Sequence, residues 1–80
     1  MAQKIKDLAY YMSLAYTIRL QEQKDGDWYA DIPELPGCIA AGDSKAEALD
    51  ILEEAKESWL MVSLEDGDVI PEPKLILVSA

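Results

Sequence analysis

The sequence contains no histidine and a single cysteine, Cys38. Without histidine, no imidazole can serve as general base or metal ligand. Ser13, Ser44, Ser58, Ser63 and Ser79 therefore lack the partner that activates a serine nucleophile. One cysteine excludes an intrachain disulfide and fits a reducing compartment. Cys38 sits in a short apolar stretch, where a buried structural thiol is the expected state. The four glycines are isolated, so no glycine-rich loop can cradle a phosphate. Basic residues are also scarce, 7 against 16 acids, a net charge of −9. Phosphates would be repelled, so direct nucleic-acid binding is not expected. No apolar run reaches the ~18 residues of a membrane span. The opening stretch, MAQKIKDLAYYMSLA, lacks the apolar h-region of a signal peptide. A cytoplasmic protein without cofactor, metal or enzymatic activity is the expectation from these absences.

What is present is a foldable chain of 80 residues, half of them hydrophobic. That length supports one domain, 1–80, built as an N-terminal helical segment (1–14) and a core (15–80). A domain this small buries only about 60–65% of its unfolded surface, so a partner or second subunit would add stability. In residues 3–12, Ile5, Leu8 and Met12 fall on one helical stripe. Exposed, such a stripe would suit a homo-oligomer, dimer or tetramer. Residues 15–23 alternate, with Tyr16, Ile18 and Leu20 facing one way, as in a strand with one buried face. Asp25-Gly26 marks a hairpin, and residues 27–32 return with Trp28, Ala30 and Ile32 aligned. Pro33 ends that strand, Pro36-Gly37 turns the chain, and residues 38–41 form a short third strand.

A long helix follows from Ser44 to about Leu64. Ser44 and Glu47 have the spacing of a capping box. Ala48, Leu52, Ala55, Trp59 and Val62 form its expected apolar stripe; Glu47, Asp50, Glu54 and Glu57 form an acidic one. Gly67 is placed to stop it, and the apolar run 74–79 reads as a last strand. The result is an α+β chain ordered α-β-β-β-α-β: an antiparallel meander, a long helix packed on the sheet, and a final strand pairing in parallel.

The charge is local. Residues 43–68 hold nine acids and two bases. Either this is a solvated helix face or it docks something basic. As a catalytic set the acids are poorly disposed, because they ride one stripe instead of converging in a pocket. Trp59 reads as core. Trp28, beside the hairpin, reads as core or as an interface anchor.

The stretch DIPELPGC (31–38), followed by GDSKAEA (42–48), resembles the HicB family of antitoxins. The matching positions are Asp31, Pro33, Leu35, Pro36, Gly37, Cys38, Gly42, Asp43, Ser44, Glu47 and Ala48. The likeness continues through Trp59-Leu60 to EDG (65–67) and IPEP (70–73). It implies part of a ribonuclease-H-like fold, without that enzyme's metal-binding carboxylates. It also implies a partner: a small basic HicA-like toxin, similar to a double-stranded-RNA-binding domain, that cleaves messenger RNA and is neutralised by occlusion of its active surface. Many such antitoxins carry a further DNA-binding domain; this chain resembles a short form without one. The expected contact surface is Trp28, Tyr29, Asp31 and Glu34, supported by Glu47, Asp50, Glu54 and Glu57. Pro33, Leu35, Pro36, Gly37 and Cys38, with Gly42, Asp43 and Ser44, are expected to be architectural. The alternative is a structural or regulatory homo-oligomer with no toxin.

Overall fold

A computed structural model describes residues 6–73 of the chain. Its elements run α1 (Leu8–Met12), β1 (Arg19–Glu22), β2 (Trp28–Asp31), β3 (Ile39–Gly42) and α2 (Lys45–Asp66). The three strands form one antiparallel sheet in the order β1-β2-β3. The last strand expected over 74–79, and Ile5 of the N-terminal stripe, lie outside the described residues.

The hairpin closes where Gln23 N–H meets the Asp27 carbonyl at 2.7 Å. Counting outward from that pair sets the register: Gln21 faces Tyr29 and Arg19 faces Asp31. Side chains alternate across the pleat. One row, Leu20, Ala30 and Ala40, lies under α2; the next, Arg19, Asp31 and Ile39, lies on the open face. Ala30 is fully buried and Ala40 nearly so. These small residues let the helix sit close to the sheet. Gly42 marks the closest approach: a Cβ there would stand 2.7 Å from the Ala48 amide nitrogen, so even alanine would push the helix away.

Two consecutive turns fill the gap between β2 and β3. Leu35 N–H bonds the Ile32 carbonyl and Cys38 N–H bonds the Leu35 carbonyl. Each turn has proline at its second position, where the fixed φ fits. Gly37, at φ +86°, supplies the positive φ that the second turn needs. Between the turns Leu35 drops into the core, fully buried beside Ile32, Leu52 and Leu60.

At the start of α2, Ser44 Oγ accepts from Glu47 N–H at 3.1 Å, and Glu47 Oε1 accepts from Asp43 N–H at 2.8 Å. The capping box thus reaches one residue further back than its usual partner. After 22 residues, Gly67 caps the end, its N–H on the Leu64 carbonyl.

Several expectations need correction. Strand β1 begins at Arg19, not near Ala15, and Ile18 is exposed, because the chain before it bends to pack Tyr16 inward. The buried line of α2 is Ala48, Leu52, Lys56, Leu60 and Ser63, so Val62 points outward and Leu60 inward. A helix turns 100° per residue, and over this length the buried line drifts away from a fixed stripe. The N-terminal helix is one turn whose most buried residue is Tyr11. Leu8 and Met12 are half-buried against the core of the same chain, so they are not the exposed stripe expected.

Lys56 lies on the buried side of α2, where its ammonium donates to the Met12 carbonyl at 3.3 Å and stands 5.4 Å from the Tyr16 ring centre. Tyr16 in turn donates to the Pro71 carbonyl at 2.6 Å. Glu72 accepts from Tyr10 and Lys6, each at 3.0 Å. The N-terminal segment and the residues after α2 are therefore held together on one end of the molecule.

Candidate functional site

A binding surface needs side chains whose interactions are not already made within the chain. The turn residues fail that test one after another. Asp31 is 7% exposed and takes both forks of the Arg19 guanidinium, Nε at 2.8 Å from Oδ1 and Nη2 on Oδ2. The Arg19 hydrogen bonds hold its carboxyl below the ordinary value of 3.8. Glu34 accepts three hydrogen bonds from Thr17, two from the amide at 3.2 and 3.3 Å and one from the hydroxyl at 2.7 Å. Burial pushes the Glu34 carboxyl up, but these hydrogen bonds, with its own backbone's, leave it below its usual range. Each acid fastens the turn region to the residues entering or forming β1. The Pro36 carbonyl is taken by the Trp59 indole N–H at 2.8 Å, tying the second turn to α2. Cys38 is 2% exposed, and burial pushes its thiol up against the opposing pull of Lys56. A thiol held protonated is a poor nucleophile.

The aromatic pair divides. Trp28 and Tyr29 are neighbours in β2 and so point to opposite faces. Trp28 is half-buried on the helix side, with the Lys45 ammonium 5.3 Å from its ring centre. Tyr29 stands on the open face between Gln21 and Ala41. Their edges meet only in a shallow depression at the hairpin end, about 540 Å³, shared with Gln23, Lys24, Asp25, Asp27 and Ala41.

The helix acids are different. Glu47 is half-used, one oxygen serving the cap. Asp50, Glu54 and Glu57 are exposed, and no described residue pairs with them. Spaced by four and three residues, they lie along one face.

The structure adds a group that the sequence pattern does not single out. Asp27 has its carboxyl raised above 3.8, chiefly by Asp25, then by burial, then by Asp43 and Glu47. The hairpin tip and the N-terminus of α2 therefore crowd four carboxylates at one end of the acidic stripe. In the sequence, Asp25 and Asp43 look like turn and cap residues. The signal that unites them is the register, because Trp28 pairs with Gly42 and so sets Asp27 beside Asp43. Among the described residues, no three His, Cys, Asp or Glu side chains are grouped to hold a metal ion. No helix there is long and apolar enough to cross a membrane. What the arrangement offers chemically is an extended negative surface with unspent charge, running from the hairpin tip along α2.

Comparison with known proteins gives consistent likenesses. Residues 12–71 match the family described as UPF0150-like. The UPF0150 protein ssr1765 of Synechocystis is 32% identical over 62 residues, covering 78% of each chain. The UPF0150 protein Ta0767 of Thermoplasma acidophilum is 31% identical over 58 residues, 72% of this chain and 84% of that one. Among solved structures, TTHA0281 from Thermus thermophilus superposes with a TM-score of 0.65 at 30% identity, covering 88% of this chain and 90% of that one.

Proposed function

The chain belongs to the UPF0150-like family, and we propose that this member is an antitoxin-like protein that binds a small basic toxin and blocks it. The observation carrying this reading is the run of acids on α2, Asp50, Glu54 and Glu57, that have no partner among the described residues, continued by the crowded carboxylates around Asp27. Such a surface is electrostatically unfinished. A cationic partner relieves the repulsion at Asp27 and is steered toward the stripe from a distance. The resemblance of residues 31–48 to HicB antitoxins supplies the kind of partner: an RNA-cleaving protein whose own RNA-binding surface is basic. An acidic helix laid over that surface competes with RNA for the same cations, so steric and electrostatic blocking act together.

The same reading assigns the protein to the cytoplasm, where messenger RNA is cleaved. It also takes the antiparallel sheet and its covering helix as part of a ribonuclease-H-like fold. That likeness carries no nuclease activity, since activity resides in a site and not in a fold.

The test is recovery of the protein from its own cells with identification of what accompanies it, repeated with Asp50→Lys/Glu54→Lys. A small basic protein in near-stoichiometric amount is expected with the native chain. Co-expression should rescue cells from that protein's toxicity. The double charge reversal should slow association about tenfold or more and flatten its salt dependence. An unchanged salt dependence rules the α2 stripe out as the docking face, and the absence of any basic companion removes the antitoxin reading.

A further inference from the structure

Among the described residues the two edge strands of the sheet, β1 and β3, are unlike. On β1 the strand residues include Arg19 and Glu22, charges that discourage pairing with another chain. On β3 they are Ile39, Ala40, Ala41 and Gly42, with no charge and no proline. The Ile32 N–H bonds the Cys38 carbonyl at 3.1 Å, which makes that pair a hydrogen-bonded one. Hydrogen-bonded and non-bonded pairs alternate in an antiparallel ladder. Residues 40 and 42 therefore bond to β2, and the N–H and C=O groups of Ile39 and Ala41 point away from the sheet. No described residue accepts or donates to them. The Ile39 side chain is itself 53% exposed.

Above this edge lies an equally uncharged flank of α2. Ile51, Ala55, Ser58 and Val62 follow one another at spacings of four, three and four, one line on the helix surface. Ala55, Ser58 and Val62 share a depression of about 510 Å³ with Gly37, Cys38 and Trp59, which fixes that flank on the β3 side. The opposite flank, with Leu49, Glu53 and Lys56, faces Tyr16 and Ile18 instead. Ile51 is 37% and Val62 57% exposed. Glu54 borders this line, three residues from Ile51 and four from Ser58, while Asp50 and Glu57 lie further round the helix.

We infer that this two-layered edge is where a second copy of the chain docks. Paired antiparallel about a two-fold axis, Ile39 of each copy bonds Ala41 of the other, so both exposed rows of backbone groups are satisfied at once. The same axis lays the flank of α2 antiparallel on its copy, closing an apolar layer above one continuous sheet that joins the three described strands of each copy. Self-complementarity of this kind is what a two-fold interface demands. Charge selects the occupant. None of the β3 residues, and none of Ile51, Ala55, Ser58 and Val62, carries a charge for a basic partner to pair with, whereas two chains of net charge −9 can meet closely only on such an uncharged strip. The line from Ile51 to Val62 is roughly 17 Å long. The inference stands apart from the toxin reading and is tested on the chain alone.

The experiment is sedimentation velocity on the purified full chain at micromolar concentration. The native chain should sediment at twice its 8.9 kDa. Val62→Glu, which introduces a charge facing its own copy, should sediment as a single chain while keeping its helical circular dichroism. Ala41→Pro removes an outward N–H without touching the β2 ladder and should do the same. If Ala41→Pro does not fold, Val62→Glu decides alone, because its side chain is exposed. A native chain at 8.9 kDa overturns the inference, and so does a folded Val62→Glu that remains double. Dissociation by Asp50→Lys/Glu54→Lys with Val62→Glu still double would place the contact on the acidic stripe and overturn it equally.

Discussion

The turn region, residues 31–38, and the outer face of α2 both carry conspicuous polar groups, and they spend them in opposite ways. In the turns every one that draws the eye is consumed internally: Asp31 by Arg19, Glu34 by Thr17, the Pro36 carbonyl by Trp59. On α2, Asp50, Glu54 and Glu57 have no partner among the described residues. A motif that is unusual in sequence is thus bound up in making the fold. The plain repeat of acids along a helix is what remains available to another molecule. The distinction matters for function, because a charge already paired has little left to offer a partner, whereas an unpaired one still attracts.

The sharpest way to break this contrast is to empty the turn. Leu35→Ala removes a fully buried side chain from between two turns that cannot easily collapse. The expected loss is about 3 kcal/mol of unfolding free energy. In a domain of this size that is a large share of the total. Urea titration reads it directly. A loss below about 1 kcal/mol would mean that the turns hold their shape without the plug.

A smaller effect comes from the strap. Trp59→Phe keeps the aromatic body but deletes the indole N–H that bonds the Pro36 carbonyl at 2.8 Å. A cost of about 1 kcal/mol is expected, the usual net worth of one hydrogen bond. By contrast, Glu57→Gln on the outer face should move stability by less than about 0.5 kcal/mol. The pair of variants, melted side by side, measures the contrast itself. If Glu57→Gln costs as much as Trp59→Phe, the acidic face is engaged within the chain after all.

Much of this organisation is legible in the sequence because its signals are local. The Asp25-Gly26 hairpin, the two prolines with Gly37, the Ser44/Glu47 cap and the Gly67 stop each act within four or five residues. All of them stand where the pattern puts them. The failures are long-range. Nothing near Asp31 or Glu34 announces Arg19 or Thr17, so in sequence both acids look free to bind a partner. The register can find the first: counting outward from the Gln23–Asp27 closing pair reaches Arg19 opposite Asp31. The burial of Lys56 carries no comparable signal. Its four-carbon stem fits an apolar helix side, and its ammonium reaches a carbonyl of another segment. Periodicity alone would put an apolar residue there.

Acid titration offers the finest test, because one paired and one crowded carboxylate must respond with opposite sign. Asp31 has its folded pKa lowered, first by the hydrogen bonds from Arg19. Its contribution to stability is present above the unfolded value of about 3.9. That contribution is lost as pH falls through the lower folded pKa. Asp27 has its folded pKa raised, first by Asp25. Its ionised form is disfavoured by folding, so it lowers stability above the folded pKa, and the penalty disappears as pH falls through that pKa. Asp31→Asn should therefore lower Tm at pH 7, and Asp27→Asn should raise it slightly. Both differences should shrink toward zero in strong acid, Asp27→Asn losing its effect first on the way down. Shifts on the order of a few °C or less are expected for such surface-linked pairs. A basic partner bound to the native chain should pull the Asp27 pKa back down, which an NMR titration of its carboxyl would follow. A pKa for Asp27 that stays raised in the complex would place the partner somewhere other than the hairpin end of the acidic surface.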